Sequence, residues 1–329
     1  MIRITVRLAA LAAGALFLSG CAATTTPAAS PAETPAATAN YPVTVDNCGT
    51  SLTVTAAPER IVSIKSSATE LLLALGLGDR IVGSAFLDGP LPESLATEGA
   101  DLNVISDFLP GQEAVLGLNP DFIYGGWESN FTADGVGERA GLAELGIGSY
   151  VSPAACKGES MPNPLTFDTV FTEIAEAGAI FGAAPAAADL VSTLETELAA
   201  LEPTSAGATA LWYSSGTTTP YVGAGIGSPA MIMEAAGLKN IFADVTDTWT
   251  SVGWESIIEA NPSVIVLVDA TWNTATAKIA HLESDPATQV LDAVKNQRYV
   301  ILPFAATEAG ARNVDAASST IAQLAEFED

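Results

Sequence analysis

The chain has 329 residues, 49% hydrophobic and 15% charged, with 38 acidic against 12 basic side chains and a formal net charge of −26. That composition belongs to a globular protein, not a disordered one, and a field so negative repels nucleic acid and anionic surfaces. The same charge serves solubility in its own right, so it identifies no ligand.

At the N-terminus, Arg3 and Arg7 precede an apolar run from Leu8 to Leu18. The run has signal-peptide length and falls short of the roughly 20 apolar residues a membrane span needs. It ends in Leu18-Ser19-Gly20-Cys21, small residues before a cysteine, which resembles a bacterial lipobox. Residues 1–20 are therefore expected to be a lipoprotein signal peptide. Cys21 is expected to carry acyl chains that hold the protein on the outer face of the bacterial cell membrane. Residues 21–40 are Ala-, Thr-, Pro- and Ser-rich and read as a disordered tether.

From residue 41 onward, apolar stretches alternate with helical patterns. Residues 60–64, 80–83, 122–124 and 149–151 read as strands of a first α/β lobe, 41–165. Residues 208–213, 264–268 and 299–302 read as strands of a second, 204–329. The two halves echo each other. Ala68-Thr69-Glu70-Leu71-Leu72-Leu73-Ala74-Leu75-Gly76-Leu77 returns as Pro229-Ala230-Met231-Ile232-Met233-Glu234-Ala235-Ala236-Gly237-Leu238. Both are apolar helix patterns closed by glycine. A second echo pairs 113–124 with 255–266, each a helix stopped before Asn119-Pro120 or Asn261-Pro262 and followed by a strand. Between the halves, residues 166–203 read as connecting helices. One spans 167–181. The other follows Pro185 over 186–202, with Leu190, Val191, Leu194, Leu198 and Leu201 on one face. The expected fold is α/β: two Rossmann-like lobes with mostly parallel sheets, joined by one long spanning helix. Cys48 and Cys156 are expected to pair outside the cytoplasm, the alternative being two buried free thiols.

With Pro58-Glu59-Arg60-Ile61-Val62-Ser63, the 68–76 block and Asn119-Pro120-Asp121-Phe122-Ile123 in this order, the chain resembles the helix-linked solute-binding proteins of siderophore and cobalamin ABC importers. Within that family, Ile64-Lys65-Ser66-Ser67, Gly125-Gly126-Trp127-Glu128 and Leu211-Trp212-Tyr213-Ser214 are similar to an actinobacterial group assigned to a deazaflavin (coenzyme F-420) precursor. The resemblance implies an importer permease as partner. It also implies that Glu70 on the first lobe, and Glu234 on the second, dock on permease arginines.

Ligands of open parallel sheets bind past the carboxyl ends of the strands. That rule selects Lys65, Ser66, Ser67, Phe86, Trp127 and Glu128 on the first lobe. On the second it selects Trp212, Tyr213, Ser214, Trp249, Trp272 and Arg312. Tryptophans suit a flat ligand, while Lys65 and Arg312 would clamp its phosphate or carboxylate. Trp254 opens a helix and reads as packing. The run 223–228 is glycine-rich and would offer backbone N–H groups to an anion, or form a plain turn. An enzyme is not expected, since His281 is the only histidine and no serine sits in a nucleophile elbow. No cofactor or resident metal is expected, and the chain reads as a monomer. A ferric siderophore, cobalamin or haem are alternative ligands, and a non-transport surface receptor is the alternative of another class.

Overall fold

The computed structural model describes residues 40–203 and 207–327. The expected signal peptide, Cys21 and all but the last residue of the expected tether lie outside the described residues.

An antiparallel hairpin comes first, β1 (Val43–Asn47) and β2 (Thr50–Val54). Its alternating apolar residues Val43, Val45 and Leu52 lay one face on the first-lobe core. The first-lobe sheet then uses β3 (Ile61–Ile64), β4 (Ile81–Ala85), β5 (Val104–Ser106), β6 (Phe122–Gly125) and β7 (Gly148–Val151). All of its pairings are parallel, in the order β5-β4-β3-β6-β7. Every residue of β3 and β6 is buried, the mark of a sheet covered on both faces.

The second-lobe sheet uses β8 (Thr209–Ser215), β9 (Tyr221–Gly223), β10 (Lys239–Asn240), β11 (Trp249–Ser251), β12 (Val264–Asp269) and β13 (Tyr299–Pro303). Its order is β11-β9-β8-β12-β13, with β10 also on β8. β9 and β11 run antiparallel, so this sheet is mixed. The expected strands are all present. Six strands were not expected: β5, β9, β10 and β11 are two or three residues long, too short for a period to register, while the five-residue hairpin strands β1 and β2 were missed despite their alternation.

The internal repeat is visible in the backbone. Helices Ser66–Ala74 and Ser228–Ala235 occupy equivalent places, and the glycines after them adopt positive φ, +72° at Gly76 and +79° at Gly237. Asn119 and Asn261, before their prolines, are left-handed at φ 49° and 41°. Asparagine tolerates this conformation better than most side chains.

Helix Phe167–Ile180 starts on Thr166, whose hydroxyl accepts the Thr169 N–H. Helix Ala184–Ala199 carries Pro185 in its first turn. Leu190, Val191 and Leu198 of its apolar stripe pack on the first-lobe core, and Leu201 beyond it packs on the second.

Cys48, in the hairpin turn, is bonded to Cys156 after β7, with Cα atoms 5.1 Å apart. Beside it the Asn47 side chain exchanges two 2.8 Å hydrogen bonds with the Val151 backbone. The bond closes a loop with a sequence separation of 108. Loop-closure entropy in the unfolded chain for that length leads us to expect Cys48→Ser with Cys156→Ser to lose about 3–5 kcal/mol. Urea unfolding measures this loss, and thiol labelling of the unfolded, unreduced protein should find neither cysteine free.

Candidate functional site

The carboxyl ends of the two sheets face each other across a cleft of about 590 Å³, within the range of small-molecule sites. The first-lobe wall comes from the segments after β6 and β7, including Trp127 and Lys157. The second-lobe wall includes Ser214, Trp249, Trp272, Phe304 and Glu308. Trp272 is 60% exposed at the mouth and meets Phe304 edge-on, ring centroids 5.8 Å apart. Trp249 stacks on Tyr221, 5.8 Å apart and 14° from parallel, because β9 and β11 pair side by side.

Of the twelve residues selected from the sequence, Trp127, Ser214, Trp249 and Trp272 reach the cleft. Trp212 and Tyr213 do not, which corrects their assignment as end-of-strand residues. β8 runs on to Ser215, so both lie inside the strand and point to opposite faces. Trp212 is wholly buried in one core. Tyr213 packs on Trp254 in the other and donates its hydroxyl to the Gly216 carbonyl at 2.9 Å.

Lys65 and Arg312 are corrected too, because both charges are used inside the protein. Lys65 is 1% exposed and paired with Asp88. Its ammonium lies 3.8 Å from the Trp127 ring centroid, 4.2 Å from Phe86 and 5.0 Å from Phe304 of the opposite lobe. Asp88 is held by Ser66, whose hydroxyl accepts the Asp88 N–H at 2.8 Å. Lys65 itself sits at φ 82° and Phe86 at φ 56°, conformations costly for side chains with a Cβ. A Cβ on Gly126 would come within 2.7 Å of Lys65 and Ser67, so glycine lets the loop after β6 close on the cage.

Arg312 crosses between the lobes to Glu70, Nη1 to Oε1 3.2 Å. Glu70 is 4% exposed, so its carboxylate is not presented to a permease as expected. Burial pushes it up to about 7, against the pull of Arg312. Glu234 is exposed at the end of its helix. Ser67 packs against Gly126 and Gly310, and Glu128 accepts the Lys157 backbone N–H at 2.7 Å. The N–H groups of Ala224, Gly225 and Ile226 bond to Thr248, Val245 and Asp247 carbonyls, so the glycine-rich run is a packed turn.

Tyr221, Asp247, Phe304 and Glu308 line the cleft without having been foreseen. Tyr221 lies on a strand too short to read. Glu308 follows a four-residue helix, Phe304–Thr307, and its carboxylate takes the Trp127 indole N–H from the other lobe. Behind the cleft wall, Tyr124 donates to Glu173 at 2.9 Å and Tyr150 to Glu176 at 2.8 Å. Burial pushes Glu173 up to about 7 despite the bond from Tyr124.

The sequence profile of the periplasmic binding protein family matches residues 61–306. An uncharacterised ABC transporter substrate-binding lipoprotein, YvrC of Bacillus subtilis, is 26% identical over 319 residues, 93% of this chain and 92% of its own. A cobalamin-binding protein of Halobacterium salinarum is 29% identical over 259 residues, covering 73% of this chain and 63% of that protein. Among solved structures, an ABC-type Fe3+-hydroxamate transport system protein of Saccharomonospora viridis is 27% identical with a TM-score of 0.73, covering 87% and 99% of the two chains.

Glu173 sets a pH signature. Its proton is held more tightly folded than unfolded, so this contribution is full below the unfolded pKa and is lost as pH rises through about 7. Between pH 5 and 7.5 the loss is about 2 kcal/mol. Urea unfolding at the two pH values should show Glu173→Gln losing less stability than wild type by that amount.

Proposed function

The chain belongs to the periplasmic binding protein family, and from that premise we propose that it is the substrate-binding component of an ABC importer, carrying one large organic ligand in the inter-lobe cleft. The observation that carries this reading is the cleft itself: about 590 Å³ at the carboxyl ends of two sheets, walled by Trp127, Tyr221, Trp249, Trp272 and Phe304. A cleft with so much ring surface favours a bulky ligand over a bare ion. The near full-length similarity to an ABC transporter substrate-binding lipoprotein supports the same role. It also supports the reading of Cys21 as the lipid anchor. In this reading the exposed Glu234 is the docking carboxylate, and a permease with its ATPase completes the importer.

For the ligand, a ferric hydroxamate siderophore is the reading we favour, supported by the similarity to the Saccharomonospora protein and by the aromatic walls. Cobalamin is the second reading, on the similarity to the halobacterial protein. An anionic deazaflavin precursor required Lys65 and Arg312 as its clamp. With both cations paired inside the protein, that ligand loses its recognition chemistry.

Tryptophan fluorescence titration with a ferric trihydroxamate, cobalamin, haemin and a deazaflavin precursor separates these readings. The ferric trihydroxamate should bind most tightly. Trp249→Ala removes one ring wall, and burying a ligand face against that ring is worth about 2 kcal/mol, so its affinity should fall roughly thirtyfold. Tightest binding of cobalamin or the deazaflavin would replace the hydroxamate reading. Failure of all four, with circular dichroism showing folded protein, would remove the carrier reading.

A further inference from the structure

The charges around the cleft do not cancel. Where the lobes meet, the carboxylates of Glu70, Asp88 and Glu308 face the two cations Lys65 and Arg312. Arg312 is paired with Glu70 and Lys65 with Asp88. Glu308 is the acid left without an ion pair among the described residues, and it is the one of the three that lines the cleft. Its Oε2 takes the Trp127 indole N–H, while its Oε1 takes no hydrogen bond among the described residues. Asp247 is a second carboxylate on the lining. The cation of the lining, Lys157, is exposed, and Glu128 stands beside it on the Lys157 backbone N–H.

The aromatic faces next to these acids are of the kind that receives cations. Lys65 demonstrates the chemistry within the protein, since its ammonium rests among three rings and one carboxylate. Trp127 and Phe304 belong both to that cage and to the cleft lining. On the other side, the stacked Tyr221 and Trp249 rings lie near both free acids, whose charges join burial in raising the Tyr221 hydroxyl.

We propose that the cleft selects a positively charged ligand, an ammonium-bearing metal complex, with its cation seated between Glu308 and the Tyr221–Trp249 pair and Asp247 at the edge. This rests on the carrier reading above and adds the sign of the ligand's charge. An anion placed there would meet two carboxylates and no unpaired buried cation among the described residues. A neutral ligand would leave Glu308 desolvated with only the Trp127 indole N–H and the neighbouring Lys65 charge to offset it.

The test uses two forms of one probe: a linear ferric trihydroxamate with a free terminal ammonium, and the same complex acetylated at that nitrogen. Wild-type protein should bind the ammonium form about tenfold more tightly. Glu308→Gln keeps the indole hydrogen bond and removes the charge, so it should shrink the preference to about twofold, weakening the ammonium form and not the acetylated one. Asp247→Asn lies on an exposed loop and gives an independent reading if Glu308→Gln fails to fold. It should also narrow the gap. Equal binding of the two forms by wild type, or a preference that survives in both variants, overturns the charge proposal and leaves the carrier reading standing. Failure of folded wild-type protein to bind either form overturns the hydroxamate ligand class and this proposal together.

Discussion

The ammonium of Lys65 is a single charge placed where four segments of chain and both lobes converge. Taking such a charge out of water costs several kcal/mol unless the surroundings replace the lost solvation. Here Asp88 supplies the counter-charge, Phe86 and Trp127 supply ring faces from the first lobe, and Phe304 supplies one from the second. The first lobe supplies the counter-charge and two of the rings by itself, and contact with the second lobe adds the third. The Glu70–Arg312 bridge reinforces the same junction, and helix Ser66–Ala74 therefore lies against the second lobe instead of facing solvent.

That junction also decides where the cleft lies and what it contains. With the end of β3 closed by Lys65, the open space is displaced toward the ends of β6 and β7 and the antiparallel β9–β11 wall. Trp127 links the two regions. Its ring covers Lys65, its edge donates to Glu308, and it also borders the cleft. A ligand in the cleft would rest on the same side chains that hold the lobes together, so occupancy and lobe contact are physically coupled. The helix Ala184–Ala199, packed on the first core and leading to the second, limits how far the lobes can part.

The candidate site was only partly legible before the fold was known. Trp127, Trp249 and Trp272 were recoverable because a rule about strand ends needs only approximate strand positions. Trp212 and Tyr213 failed because β8 ends two residues later than its apolar pattern suggests, and that difference separates a lining residue from a core residue. Tyr221 and Asp247 lay on a wall built from three-residue strands, which leave no periodic trace. Glu308 was one acid among 38, distinguished only by the indole that reaches it from the other lobe.

The sequence by itself determined the elements whose causes are local or repeated. Glycine and asparagine took the left-handed positions that end the paired helices at Gly76, Gly237, Asn119 and Asn261, because few other residues tolerate that backbone. The duplicated helix–strand blocks set two α/β lobes, and the pairing expected of Cys48 and Cys156 is the one the fold makes. What the tertiary structure decided was which charge meets which. Lys65 and Asp88 are 23 residues apart, and Glu70 and Arg312 are 242 apart. No spacing rule links such positions, because their contact depends on how two separately folded sheets are set against each other. The cleft's chemistry is what remains after those pairs have formed, so it could be read only once the pairs were known.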